Sequence, residues 1–325
     1  MRRGYEKKPS NRLTAPVVAI ALACLAGNFS TPRSPARADD PPADPGTLSE
    51  KAKAEKRMEF MLRALGRYEL IYPGEPPQIS KLHAKSLLRW SNPLTTVKDG
   101  GLAVYTRGGR PDVVVEFQIH NENLSGHEFS PINYEGMELH RDGRAVFRAD
   151  SGWFKFQDFP DAPRPADKPA ARLAQMKSLA ERFTVFDIFG RVEEDLQHYN
   201  LRLMPQPVYR YEEADGKIDG GMFVFAQGTN PEAVLLIEAR RDLEKPTWRY
   251  GFAPSTTYQL TARLGGEEGP IVWEKPRHRE FNNATGPYLA AFYETSPDDI
   301  DLHGIMPDPK ARSEKPEKDP APGKK

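Results

Sequence analysis

The chain has 325 residues, room for one or two domains with real cores. Lys+Arg and Asp+Glu balance at 46 against 46, which removes the basic excess that a nucleic-acid binder needs. With 31 Pro and 25 Gly beside 38% hydrophobic residues, the composition suits a turn-rich β protein better than a helical bundle.

Residues 1–38 read as an export signal. "MRRGYEKKPSNR" is basic, Ala15 to Gly27 is a short apolar run, and Ala36-Arg37-Ala38 is an A-x-A cleavage site. The run is short for a transmembrane helix, so no integral membrane segment is expected once the signal is removed. Arg2-Arg3 with Tyr5 and Lys7 partly matches the twin-arginine pattern, which leaves two export routes open. "ALAC" ending at Cys24 is a weak lipoprotein box and a minor alternative for anchoring. Cys24 is the only cysteine, so cleavage after Ala38 leaves a chain without disulfide or thiolate chemistry. Cleavage also removes seven Lys/Arg and one Asp/Glu, which leaves 39 against 45 and a net charge of −6. A periplasmic or secreted protein that does not bind nucleic acid follows.

Residues 39–46, "DDPPADPG", are a linker. A helix is expected over 47–66, with Thr47 and Glu50 as a capping box and Gly66 as the stop. Ala54, Met58, Met61, Leu62 and Leu65 form its apolar stripe, which should dock on the main body. A first β-module is expected over 80–156. "KLHAKSLLRW" and "GGLAVYTR" read as strands there. "DVVVEFQIH" alternates, with Val113, Val115, Phe117 and Ile119 on one face. Asp142-Gly143 is a two-residue hairpin turn. Residues 157–190 are a connector carrying a helix from Pro169. A second β-module is expected over 200–275 and a C-terminal extension over 276–306. Residues 307–325 lack any apolar pattern and should be disordered.

Two segments 120 residues apart resemble each other. "DGGLAVYTRGGRPDVVVEFQI" begins at Asp99 and "DGGMFVFAQGTNPEAVLLIEA" at Asp219. Asp99/Asp219, Gly100/Gly220, Gly101/Gly221, Val104/Val224, Gly108/Gly228, Pro111/Pro231 and Val114/Val234 are identical. Chance would give roughly one or two such matches. Inward and outward parity is shared, and "LLRW" ending at Trp90 matches "VYRY" ending at Tyr211 one residue out of step. The expected fold is therefore mainly β (α+β), two tandem antiparallel β-modules from an internal duplication with flanking helices. Their inner faces either pack together or each cover a helix.

These motifs, "LLRWSNP", "DGGLAVYTRGGRP", "PVYRYEEADG" and "DGGMFVFAQGTNPEAVLLIEARR", resemble a family of exported, uncharacterised proteins of planctomycete bacteria. The resemblance covers most of residues 80–275. It implies an envelope or secreted location and brings no activity or catalytic residue with it.

Candidate chemistry is sparse. No Gly-x-Ser-x-Gly elbow, no P-loop and no H-E-x-x-H occur. His120 and His127 flank the loop "NENLSG". With Glu128, Glu122 or His140 they could hold a metal ion, and surface histidines at strand ends are the plainer alternative. No other cofactor is expected. Arg89-Trp90 and Arg210-Tyr211 recur at matching places and could line a cleft between the modules that holds a small ligand. The plainer alternative is an Arg paired with a carboxylate such as Glu116 or Glu238. The carboxylate pairs Glu193-Glu194, Glu212-Glu213 and Asp298-Asp299 sit in polar runs. Trp153 and Phe154 read as a core or edge strand, or else as an exposed contact patch. The function expected is a non-catalytic binding or interaction module of the cell envelope. A metal-dependent hydrolase using the two histidines is one alternative, and a structural envelope protein that only self-associates is another.

Overall fold

Helix α1 spans Glu50–Leu65 and is capped by Ser49, whose hydroxyl accepts from Ala52 N at 3.2 Å. The cap thus falls on Ser49 and not on Thr47. A computed structural model describes residues 49–92, 97–120, 124–189, 196–213, 215–278 and 282–294, and all that follows concerns them. Residues 1–38, read above as an export signal, with Cys24, the expected linker, Thr47, Glu122, Glu193-Glu194, Asp298-Asp299 and residues 307–325 lie outside the described residues.

The first half continues with β1 (Tyr68–Tyr72), β2 (Gln78–Leu82), β3 (Leu88–Asn92), β4 (Val97–Arg107), β5 (Arg110–His120), β6 (Leu124–Pro131), β7 (Met137–Arg141) and β8 (Arg144–Ala149). The stretch "KLHAKSLLRW" is thus divided between β2 and β3 rather than forming one strand. Asp142 and Gly143 turn between β7 and β8 with φ of 51° and 75°, the left-handed backbone expected of that pair. After β9 (Gln157–Asp158) the second half again opens with a helix, followed by nine strands where the first half has eight. It contains α2 (Pro169–Ala180), β10 (Phe183–Phe189), β11 (Gln197–Asn200), β12 (Arg202–Leu203), β13 (Tyr209–Glu212), β14 (Ile218–Gln227), β15 (Asn230–Arg240), β16 (Thr247–Pro254), β17 (Gln259–Leu264) and β18 (Ile271–Lys275). The chain closes with β19 (Leu289–Glu294).

Among the described residues the protein is mainly β, with antiparallel pairing between its strands. A nine-stranded sheet runs β19-β6-β5-β4-β2-β1-β7-β8, with β3 beside β4. A six-stranded sheet runs β12-β14-β15-β16-β9, with β13 beside β14, and β11-β10-β17-β18 form a four-stranded sheet. Edge strands are exchanged between the halves. β9, which follows the first half, closes on β16, and β19, which follows the second, closes on β6. Each exchange satisfies backbone groups that an open edge would leave bare. No described helix is long and apolar enough to cross a membrane.

Parity along β5 explains the layers. Val113, Val115, Phe117 and Ile119 join Phe60, Met61 and Leu65 of α1 in one core. Their counterparts Ala233, Leu235, Ile237 and Ala239 join Met176 and Leu179 of α2 in a second. Val114, Val234 and Leu236 face the other way, into a third core shared by both halves. β5 and β15 are therefore buried on both faces. Of the two arrangements expected for the inner faces, both occur.

The repeated Gly-Gly has a steric cause. Gly100 lies opposite Trp90 and Gly220 opposite Tyr211 across the strands. A Cβ at either glycine would sit within 3 Å of three atoms of the aromatic side chain opposite. The next glycines, Gly101 and Gly221, face Met58 of α1 and Met176 of α2. Gly220→Ala must push the Tyr211 ring out of the shared core, an overpacking that costs about 1–3 kcal/mol. Urea unfolding of the variant checks this, and an unchanged midpoint would refute the packing argument.

Candidate functional site

Arg89 and Trp90 are neighbours on one strand, so they point to opposite faces. The same holds for Arg210 and Tyr211. Trp90 and Tyr211 are buried in the shared core. Arg89 turns to the helix side, where its Nε donates to Asp99 Oδ1 at 2.8 Å and its Nη2 donates to the Ala54 carbonyl at 2.7 Å. Asp99 also accepts from Arg57 Nε of α1 at 2.7 Å. Arg210 pairs with Asp219 at 2.5 Å, and Asp219 is held by Arg172 of α2 as well. Each half thus builds an Arg-Asp-Arg clamp that pins its helix to its sheet. The four residues do not line one cleft between the halves. The carboxylate partner is the Asp of each "DGG", not Glu116 or Glu238.

The histidines separate for the same reason. Gly126 opposes Gln118, which puts His120 on the Gln118 face, and His127 opposes Phe117 on the other face. His127 is 1% exposed, wedged among Phe117, Tyr68 and Tyr293. Its Nδ1 lies 2.6 Å from the Tyr68 hydroxyl. Burial, and then the charges of Arg141 and Arg67, hold its pKa well below the ordinary imidazole value, so the ring is neutral. Glu128, next along β6, points away from His127 and accepts from the Tyr288 hydroxyl. His140 sits on β7 beside Glu138, with Nε2 3.0 Å from Oε2. Among the described residues no group of three His, Cys, Asp or Glu side chains is placed to hold a metal ion. The set His120, His127 and Glu128 is therefore not assembled into one site.

The seam between the halves carries ionisable groups that sequence reasoning missed. Glu116 lies directly opposite Glu128, and both are buried on the shared face. Ser255 of the second half donates to Glu116, and Ser130 of the first donates to the Pro254 carbonyl. Burial, and then the Glu128 charge, raise the Glu116 pKa well above the carboxylate range. Burial pushes Glu128 up to about 7. Glu232 rises to about 8 through burial and the nearby charge of Asp187. Asp187 is itself raised to about 7 by burial. Lys275 donates to the carbonyls of Thr256 at 2.6 Å and Tyr258 at 2.8 Å, and burial lowers it to about 7. Across the same seam Arg110 of the first half donates to Glu238 at 2.9 Å, and Glu238 also accepts from Arg249 and Tyr211. The hydrogen bonds from Ser255 to Glu116, Ser130 to the Pro254 carbonyl and Arg110 to Glu238 join the two halves. Such alternation of polar with apolar residues on β5 reads in sequence as a solvent face, which is why it gave no signal.

A cleft of about 480 Å³ lies at the ends of β1, β7 and β8, lined by Tyr72, Pro73, Pro77, Met137, Arg148 and Asp150, with Ile71 and Glu138 on the sheet face beside them. Residues 134 and 152 are held side by side by a Gly152 N to Tyr134 O bond of 2.9 Å, next to lining residues Gly136 and Ser151. Tyr134 is 67% and Trp153 52% exposed, and neither is among the residues that line the cleft. Phe154 is buried, so of the "GWFKF" pair only Trp153 is on the surface.

The fold and these features define a mainly antiparallel β protein of two interlocked halves. No family model, no curated protein and no solved structure matches the chain.

Proposed function

We propose that this chain is an exported, non-catalytic binding module of the cell envelope, built from two copies of one ancestral unit, with the cleft at the ends of β1, β7 and β8 as its ligand site. The observation that carries the reading is where the side chains are spent. Arg89, Trp90, Arg210 and Tyr211 serve the clamps and the shared core, whereas Glu138, Arg148 and Asp150 converge on an open, partly polar cleft. A concavity lined by apolar side chains with a few convergent charged groups is what a recognition site supplies. Export rests on the basic, apolar and A-x-A pattern of residues 1–38, and the resemblance to exported planctomycete proteins agrees with it. The hydrolase alternative loses its motive, because His120 and His127 face opposite sides of the sheet.

The test is co-sedimentation of the chain from Asp39 onward with envelope material of the exporting cell. Arg148 is exposed on the cleft rim, so Arg148→Ala leaves the core untouched. Loss of one hydrogen bond from a charged group lowers affinity by roughly tenfold or more. Equal sedimentation of both proteins, or of neither, would remove the cleft as the binding site.

A further inference from the structure

The second half differs in charge from the first at one buried place. Tyr72 is the fifth residue of β1 and Asp187 the fifth residue of β10, and each strand starts three residues after its helix ends. Asp112 and Glu232 follow Pro111 and Pro231, and Arg107 and Gln227 stand four residues before those prolines. In the first half the set is closed. Asp112 accepts from the Ser80 hydroxyl and pairs with Arg107 Nε at 3.2 Å. Arg107 Cζ lies 4.3 Å from the centre of the Tyr72 ring, and the Tyr72 hydroxyl accepts from Asn133 Nδ2 at 2.9 Å. In the second half the guanidinium is replaced by the Gln227 amide and the phenol by the Asp187 carboxyl group.

The result is a pair of buried acids without a matching cation. Asp187 and Glu232 are both 0% exposed. Neither oxygen of Asp187 has a hydrogen-bond partner, and Oε2 of Glu232 has none. Asp187 stands opposite Leu260 on β17, just past the loop that begins with Ser255, whose N donates to the Glu232 carbonyl at 2.8 Å. This loop brings the two acids near each other, and Glu232 feels the Asp187 charge. Lys275 lies opposite Leu260 on the other side, where its ammonium donates to the carbonyls of Thr256 and Tyr258. Its charge acts on Glu128 as well as Glu232, so three carboxyl groups meet one ammonium.

Buried acceptors without donors take up either protons or a cation. The oxygens here are of the kind that a cation uses. Asn230 lies two residues before Glu232 on the same strand face, and its Oδ1 is also without a partner. The Thr256 hydroxyl borders Glu232 as well. Among the described residues no third His, Cys, Asp or Glu joins the pair. Two carboxylates with neutral oxygens, and with neither nitrogen nor sulfur, suit a hard divalent cation of the calcium class rather than zinc. We propose that Asp187 and Glu232, with the neutral oxygens of Asn230 and Thr256, bind one such cation, which takes the part that the Arg107 guanidinium plays in the first half and ties β10 to β15. The site is separate from the cleft and does not depend on it. With chelator present the two acids keep the protons that burial gives them, so binding exchanges protons for the cation.

The experiment dialyses the full chain against chelator and then against calcium, magnesium, manganese or zinc. Mild urea is present throughout, so that local opening lets the buried pair exchange. Metal retained after gel filtration is counted by mass spectrometry, and the urea midpoint is read on the same samples. About one calcium, magnesium or manganese ion per chain is expected, with a midpoint that rises with the concentration of that ion. Asp187→Asn should weaken binding at least about tenfold, the smallest loss usual even for residues that only support a metal ligand. Its midpoint in chelator should stay near the parent's, because the amide keeps the volume and brings a donor for Glu232, and this separates a ligand from a merely structural residue. Gln227→Arg supplies the guanidinium of the first half and should weaken binding too, and it carries the test if Asp187→Asn fails to fold. Absence of a stoichiometric hard cation, retention of zinc alone, or retention unchanged in the folded variants overturns the cation site and leaves the pair as protonated acids.

Discussion

Asp219→Ala should destabilise the protein by about 3–5 kcal/mol, the range for removing one partner of a buried charge pair. Asp219 is 1% exposed and sits between Arg172, also 1% exposed, and Arg210. Without the carboxylate, the Arg172 guanidinium keeps the backbone carbonyls of Ala166 and Asp167 and the half-exposed Glu212 carboxylate 3.7 Å from Nη2, but its Nε loses its charged partner. Helix α2 would then lose the contact that sets its position on β14. The equivalent Asp99→Ala should cost less, because Arg57 at 9% and Arg89 at 36% are each more exposed than their counterparts Arg172 at 1% and Arg210 at 28%. The double variant Arg172→Met/Asp219→Ala removes the stranded charge and should recover much of the loss. Urea midpoints of the three variants decide the matter. A cost below about 1 kcal/mol for Asp219→Ala, or a double variant no better than the single, would show that the clamp is peripheral.

The clamps also show how far the sequence could be read. The "DGG" repeat, the strand parity and the Asp142-Gly143 turn are local patterns, and each is fixed by backbone geometry within a few residues. They revealed the mainly antiparallel β fold and the position of its long hairpins. The partners of those residues were not legible. Arg57 and Arg172 lie 42 and 47 residues before the aspartates they hold, and nothing in helical spacing marks an arginine as buried. Arg89 and Trp90 looked like one site because they are adjacent in sequence, yet adjacency on a strand separates side chains to opposite faces. His120 and His127 failed similarly, through a register that only the β5–β6 pairing settles. The seam was hidden because Glu116 and Gln118 alternate with valine, phenylalanine and isoleucine as a solvent face would. The cleft draws on β1, the loop after it, β7 and β8, which no single motif connects.

That seam predicts an unusual dependence on pH. Glu116, Glu128, Glu232 and Asp187 all have pKa values raised in the folded protein by burial. Each holds a proton in the native state that the unfolded chain has already released above about pH 4.5. Their contribution is therefore complete below the unfolded value and is lost as pH rises through the folded values, near 7 to 8 for the groups so placed. His127 opposes this. Its folded pKa is depressed, so its contribution is present above the ordinary imidazole value and is lost as pH falls below it. Lys275 acts in the same sense as His127 at higher pH, since its contribution grows from about 7 toward the unfolded lysine value. Between pH 5 and 7 four carboxyl groups outweigh one imidazole. Even one net proton gives a slope of about 1.4 kcal/mol per pH unit, so stability should fall by at least about 2.7 kcal/mol over that interval. Above pH 7 the fall should flatten as Lys275 begins to offset it. Urea unfolding at pH 5, 6, 7 and 8 measures the curve, and Glu116→Gln at the same four values tests its origin. The amide keeps an acceptor for Ser255 and removes one titrating group, so the variant should lose less stability between pH 5 and 7 than the parent. A parent protein equally stable at pH 5 and pH 7, or a variant with the parent's slope, would mean that these buried carboxyl groups do not hold their protons in the folded seam.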